Sequence, residues 1–174
     1  MRDVPRGGLG WAALLFVLDQ LTKWAVTGPL GISYSGAVRE ITGFFALRFV
    51  PNHGVSLGFL TANGHFSRWA LVALTGAIAV GVAVWMFRER NRADQAALGL
   101  VLGGALGNIV DRVRLGYVTD FADLHFGDWR PFLVFNLADA AITIGVLVLL
   151  VRALLMRDKR PDAPKDSPVE KVNA

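Results

Sequence analysis

Residues 96–113 read AALGLVLGGALGNIVDRV, and this stretch decides the fold class. It is apolar up to Gly107. Its length is near the roughly 20 residues that an α-helix needs to cross about 30 Å of hydrocarbon. Gly99, Gly103 and Gly107 recur every four residues and form one smooth stripe, which allows close approach of a partner helix. Asn108, Asp111 and Arg112 lie at i, i+3 and i+4 and project together just beyond that stripe. Three further apolar blocks of similar length flank it, at 9–26, 69–87 and 135–155. The second and fourth blocks carry no polar stripe at helical period, as a soluble bundle would require. The chain of 174 residues is 53% hydrophobic and only 18% charged, against about 25% charged in a soluble domain. The expected fold is an all-α polytopic membrane protein. It has four transmembrane helices, a small β-rich extracytoplasmic element and an amphipathic periplasmic loop.

Composition excludes several classes. The chain has no cysteine, so disulfides, thiolate metal sites and a cysteine nucleophile are out. Abundant apolar residues and a net charge of +4 argue against intrinsic disorder. An isoelectric point near 10 suggests nucleic acid, but the basic residues sit between apolar blocks and form no continuous stripe. They are better read as topology signals. Arg2 and Arg6 precede the first block; Arg88, Arg90 and Arg92 separate the second and third; Arg152, Arg157, Lys159, Arg160, Lys165 and Lys171 end the chain. All fall on one side of a four-span protein, and the positive-inside rule makes that side cytoplasmic. Both termini are then cytoplasmic, and residues 28–67 and 114–134 face outward. Asp19 and Lys23 interrupt the first block, and no clear A-x-A site follows it, so it reads as a retained helix rather than a cleaved signal peptide. Residues 1–157 form one membrane-embedded domain. Residues 158–174 read as a disordered polar tail without chemistry.

The outward loops have their own character. ITGFFALRFV at 41–50 is rich in β-branched and aromatic residues, and the turn residues Pro51, Asn52 and Gly54 follow. The segment from Asp120 to Asn136 mixes Phe121, Phe126, Trp129, Phe132 and Phe135 with Asp123, His125, Asp128 and Arg130. Such a segment suits the membrane interface, and its rings at 126 and 129 are placed to act as a lid over the outer helix ends.

Ionisable residues inside spans are functional candidates by default. Asp19 and Lys23, four apart, share a helix face and pair with each other or brace neighbouring helices. Asp139 has no basic residue within four positions, so it should face the bundle. Asp120 begins the second outer loop and should lie at similar depth, near the outer face. Asp111 is a third carboxylate at the membrane edge. A close carboxylate pair cannot easily ionise twice, so one group keeps a proton while the other acts as base. That arrangement suits peptide hydrolysis, and it equally suits a small proton-coupled carrier. A carrier of that kind often shows internal repeats, and residues 1–87 and 88–174 show none. His53, His65 and His125 lack metal-ligand spacing, Ser56 has no nearby base, and neither G-x-S-x-G nor H-E-x-x-H occurs.

Five blocks, in order over residues 19 to 139, closely resemble the motifs of one family, the bacterial lipoprotein signal peptidases, or signal peptidase II. They are Asp19-Gln-Leu-Thr-Lys23, Asn52-His-Gly-Val-Ser-Leu-Gly58, Gly103-Gly-Ala-Leu-Gly-Asn-Ile-Val-Asp-Arg112, Val118-Thr-Asp-Phe121 and Phe135-Asn-Leu-Ala-Asp139. The resemblance implies an aspartic endopeptidase of the inner membrane that acts on diacylglyceryl-modified prolipoproteins. It implies that Asp120 and Asp139 are the catalytic pair. Asn52, Gly54, Asn108, Arg112 and Asn136 then bind substrate, and Asp19, Lys23 and Asp111 support the site. No metal or cofactor and no nucleic acid is expected. The expected partners are the lipidated precursor and membrane lipid, and one chain holding both aspartates suffices as a monomer.

Overall fold

The computed structural model describes residues 4–54 and 64–157; side chains are described for all of these except 64, 65, 156 and 157. Ser56, part of the Asn52–Gly58 motif and the 158–174 tail lie outside the described residues. The elements run α1 (Arg6–Thr27), β1 (Val38–Thr42), β2 (Phe45–Asn52), α2 (Gly64–Arg88), α3 (Arg92–Leu115), β3 (Val118–Leu124) and α4 (Leu137–Arg157). Among the described residues four helices are long and apolar enough to cross a membrane, and each contains one of the blocks read from the sequence apart from a shift at the start of α4. The protein is a multi-pass membrane protein of this architecture.

Helix α3 is central, and its glycines decide how close its neighbours come. A Cβ at Gly99 would strike the Gly8 carbonyl, one at Gly103 the Ala12 carbonyl, and one at Gly107 the Asp19 carboxylate. The stripe expected to seat a partner helix therefore seats α1, running parallel. On the adjoining face a Cβ at Gly104 would lie 2.6 Å from the Ala138 carbonyl, and one at Gly145 2.6 Å from that of Ala97. Helix α4 thus packs antiparallel to α3. Close approach of this kind suits helices in lipid, where van der Waals contact and not water exclusion drives association.

The β element is larger than the sequence suggests. It is an antiparallel sheet of order β1-β2-β3. Residues 41–50 do not form one strand: Gly43 and Phe44 make a turn between β1 and β2. The third strand comes from the second outer loop, so Asp120 lies within a strand and does not open a loop. VTDFADL has β-branched and aromatic residues, but its two aspartates mask the pattern. The entry to β3 is set by Gly116, which takes φ +88 as the left-handed cap of α3 and donates its N–H to the Arg112 carbonyl at 3.1 Å. The chain turns sharply there, and β3 runs back past the end of α3. Val26, Ile32, Ala37, Phe49, Phe121 and Ala122 form the core that joins sheet to bundle.

Candidate active site

The site lies where α1, α3, α4 and the sheet meet. Helix α4 begins at Leu137, two residues later than its apolar block, leaving Asn136 as its N-cap. The Asn136 Oδ1 accepts the Asp139 N–H at 3.0 Å, and the Asp139 Oδ2 accepts the Asn136 N–H at 3.2 Å. This reciprocal pair is a capping box built from Asn and Asp. It fixes the Asp139 carboxylate in the first turn, where the helix N-terminus favours negative charge. Asn108, arriving from α3, donates its Nδ2 to Asp139 Oδ1 at 2.9 Å.

The Asn136 side chain also reaches the other carboxylate. Its Nδ2 donates to Asp120 Oδ1 at 2.6 Å and to Asn108 Oδ1 at 3.3 Å. Asn52, the last residue of β2, donates its Nδ2 to Asp120 Oδ2 at 2.9 Å. The Asn52 Oδ1 accepts the Gly54 N–H at 2.8 Å, an Asx turn. Gly54 has φ +74, and a Cβ there would lie 2.7 Å from Leu71 and 3.5 Å from the Arg112 guanidinium. Asp120 is 2% exposed. Burial pushes its carboxyl up to about 6; the Asp139 charge adds to the rise, while the Asn52 and Asn136 hydrogen bonds and the Lys23 charge restrain it. Arg112 interacts electrostatically with Asp139, Asp120 and Asp111, and its buried Nε has no hydrogen-bond partner among the described residues.

Behind these groups sits a charged network. Lys23 Nζ contacts Asp19 at 2.8 Å, Asp111 at 2.9 Å and the Asn108 Oδ1 at 3.1 Å. The expected Asp19–Lys23 pair is therefore one edge of a cluster that braces three helices. Asp19 accepts the Ala138 N–H at 3.0 Å, so a carboxylate of α1 caps the N-terminus of α4. Asp111 accepts the Thr119 N–H at 3.1 Å and ties α3 to β3 beside Asp120. Gln20 donates to Asp111 at 3.0 Å and to Asp19 at 3.2 Å. Sequence reasoning passed over Gln20, though an amide inside an apolar block beside Asp19 was the available signal.

Every residue singled out for the site comes together here. Asn108, Asp111 and Arg112 do not act as one group, however. Asn108 and Arg112 face the two carboxylates, and Asp111 faces Lys23. A cavity of about 410 Å³ opens on Asp120, lined by Asn52, His53, Gly54, Leu133 and Val134. Leu133 is 88% exposed. The rings at 126 and 129 lie elsewhere: Phe126 stacks on Phe44 at 6.4 Å between centroids, and Trp129 leans on Phe126 at 5.8 Å. The second loop lines the cavity through Leu133 and Val134, not through those rings.

Comparison with known proteins gives the family. Residues 11–155 match the family model described as signal peptidase (SPase) II. The chain belongs to the signal peptidase II family. It is an enzyme of that family, a membrane peptidase. A lipoprotein signal peptidase of Rhizorhabdus wittichii is 59% identical over 156 residues, 90% of each chain. One of Sphingopyxis alaskensis is 56% identical over 158 residues, 91% of each. A solved bacterial membrane enzyme, determined by the in meso method, shares the fold with a TM-score of 0.70 at 28% identity, covering 92% of this chain and 93% of that one.

Proposed function

We propose that this signal peptidase cleaves the signal peptide from diacylglyceryl-modified prolipoproteins just before the lipidated cysteine, with Asp120 and Asp139 as its catalytic pair. The observation that carries the reading is the shared asparagine. Asn136 donates to Asp120 and forms the capping box with Asp139, so one side chain sets the position of both carboxyl groups. Their environments differ, which is how paired carboxyls divide acid and base roles. Asp120 is buried and titrates near 6, while Asp139 lies at a helix N-terminus with two donors on its oxygens.

In the reaction, the ionised carboxylate takes a proton from water as the water oxygen attacks the scissile carbonyl carbon. The protonated carboxyl gives its proton to the carbonyl oxygen, forming a gem-diol. The carboxyl that took the water proton then gives it to the peptide nitrogen while the other takes one back from a gem-diol hydroxyl, so the C–N bond breaks, the new carboxylic acid forms and the amine of the substrate cysteine is freed. The Arg112 Nε has no partner among the described residues and is suited to a substrate backbone carbonyl that lacks helical partners in the membrane. Asn52, Gly54 and Asn108 line the approach and hold the peptide, with Asp19, Lys23 and Asp111 as support. In this reading both termini are cytoplasmic, the site lies near the periplasmic face, residues 1–157 form one peptidase domain, and a single chain suffices.

The test uses purified protein in detergent with a diacylglyceryl-modified precursor and its unlipidated form. Cleavage of the lipidated form alone is expected. Asp120→Asn and Asp139→Asn should each lower turnover by roughly 10³-fold or more, in the upper range for loss of general acid–base catalysis. Full activity in either variant would falsify the dyad.

A further inference from the structure

A second cavity lies at the far end of the bundle, where α1 begins and α2 turns into α3. Its volume is about 580 Å³, and its walls include Arg6, Trp11, Arg90, Arg92 and Gln95. It shares no residue with the cavity on Asp120.

The charge in this cavity is unbalanced. Among the described residues, two acidic residues stand close by in sequence, and both have partners outside the cavity. Glu89 turns its Oε1 onto the backbone N–H groups of Arg90 and Asn91, both at 2.8 Å. Asp94 is held by Arg152 at 2.5 Å. Arg6, Arg90 and Arg92 have no ion pair among the described residues. Three guanidinium groups thus line one cavity, and none of them is in an ion pair among the described residues.

The turn that presents two of them is tied down. The Gln95 Nε2 donates to the Glu89 carbonyl at 2.9 Å, and the Asn91 Oδ1 accepts the N–H groups of Ala93 and Asp94 at 2.9 and 3.3 Å. Arg90 and Arg92 are therefore displayed from a fixed backbone, and an anion bound there does not have to order a loop. Planar guanidinium forks suit phosphate oxygens, which they can bind through paired N–H donors.

One wall says where the ligand comes from. Trp11 is half exposed, and Leu14, Leu18 and Leu21 follow it as exposed residues of α1. The spacing of 3, 4 and 3 places them in one stripe on the lipid-facing side of the helix. A polar cavity at the end of a membrane helix, continuing into an apolar stripe along its length, has the form of a phospholipid: headgroup in the cavity, acyl chain on the stripe. Basic pockets of this kind between transmembrane helices take anionic headgroups.

We infer that the cavity between the start of α1 and the α2–α3 turn is a binding site for one anionic phospholipid, whose phosphodiester is held by Arg6, Arg90 and Arg92. A zwitterionic lipid carries the same phosphate with a built-in cation, so it gains less from a cavity lined by three arginines and no acidic side chain among its lining residues.

The experiment is lipid titration of the full chain in detergent, read by native mass spectrometry. The probes are dioleoyl phosphatidylglycerol, dioleoyl phosphatidylcholine and inorganic phosphate. One tightly retained phosphatidylglycerol is expected, bound at least tenfold more tightly than phosphatidylcholine. Arg90→Gln with Arg92→Gln should weaken it at least tenfold, and Arg6→Gln alone several-fold. The control pair Arg39→Gln with Arg114→Gln removes the same charge from exposed positions outside the cavity and should leave binding within twofold. Equal weakening by both pairs overturns the site in favour of general charge attraction. Equal retention of the two lipids overturns it as well, and so does inorganic phosphate competing as strongly as the lipid. Circular dichroism confirms that each variant keeps its helices; a variant that loses them is replaced by Arg90→Lys with Arg92→Lys, which keeps charge but not the planar fork and should still weaken binding.

Discussion

Replacing Asp120 by Asn tests the electrostatics of the site without using its activity. Asp120 is 2% exposed, and burial lifts its carboxyl from 3.8 to about 6. Above pH 6 the folded protein holds a buried charge that the unfolded chain holds in water. Below pH 6 the folded form takes up a proton first, so wild type gains stability as pH falls from 6 towards 3.8, and loses it again as pH rises. For a shift of this size the gain is about 1.4 kcal/mol between pH 8 and pH 5, and about 3 kcal/mol when complete. The Asn variant has nothing to titrate at this position. It also turns an amide N–H₂ towards one of the two donors, Asn52 or Asn136, which costs roughly 1–3 kcal/mol for a broken buried hydrogen bond. That cost does not depend on pH and cancels when the two proteins are compared at two pH values. The assay is the apparent melting temperature of both proteins in detergent at pH 8 and pH 5. At about 2–4 °C per kcal/mol for a chain of this size, wild type should gain roughly 3–6 °C on the variant upon acidification. A gap that stays constant, or that shifts in favour of the variant, refutes the account of a buried carboxyl with a raised pKa.

Other consequences follow from particular contacts. Lys23→Met leaves Asp19 and Asp111 buried without their cation, and about 3–5 kcal/mol should be lost; the yield of folded, monodisperse protein in detergent reads this, and a wild-type yield would contradict the network. Gly103→Ala places a Cβ against the Ala12 carbonyl and forces α1 from α3, costing roughly 1–3 kcal/mol. Gly81→Ala meets nothing within 4 Å and should instead stabilise by about 0.5–1 kcal/mol through helix propensity, so melting temperatures must move in opposite directions. Asn136→Ser keeps a helix cap but loses the donor to Asp120. Stability should fall by roughly 1–3 kcal/mol for the broken buried hydrogen bond, while turnover of the folded protein falls roughly a hundredfold through misplaced carboxyls; unchanged turnover would remove Asn136 from the site.

The four helices were legible because each is a long apolar block, and a membrane helix satisfies its own backbone. The stripe at 99, 103 and 107 was legible for the same local reason, although the sequence did not name α1 as the helix it receives. The sheet was half visible. Residues 41–50 read as strand, but β3 did not, because Asp120 and Asp123 interrupt its pattern. Those two aspartates have separate local purposes: Asp120 meets Asn52 and Asn136, and Asp123 is held by Arg48 at 2.7 Å and Arg130 at 3.1 Å. Burial alone would raise the Asp123 carboxyl, but these two guanidinium groups hold it below the usual range. One strand therefore carries one carboxyl pushed up and another pushed down: burial dominates at Asp120, whose hydrogen-bond partners are amides, and two guanidinium groups dominate at Asp123.

The same distance explains why roles within the site were harder to read than membership. All ten residues named from the sequence do meet: those inside the helices because a charge or amide in an apolar span has nowhere else to go, and Asn52, Gly54 and Asp120 because the sheet carries them to the same place. What each one touches depends on which helices α3 admits. Gly107 lets Asp19 close onto α3, and from there Asp19 reaches the Ala138 N–H at the start of α4. That contact anchors the turn in which Asn136 and Asp139 form their capping box. Lys23 neutralises Asp19 and Asp111 and also engages Asn108, whose amide reaches Asp139. The buried ion cluster is thus continuous with the two carboxyls. Its desolvation is expensive, and an apolar replacement of similar volume would often be as stable. Its specific product is orientation: a glycine on α3, a carboxylate on α1 and an asparagine before α4 together leave Asp139 one position to occupy beside Asp120.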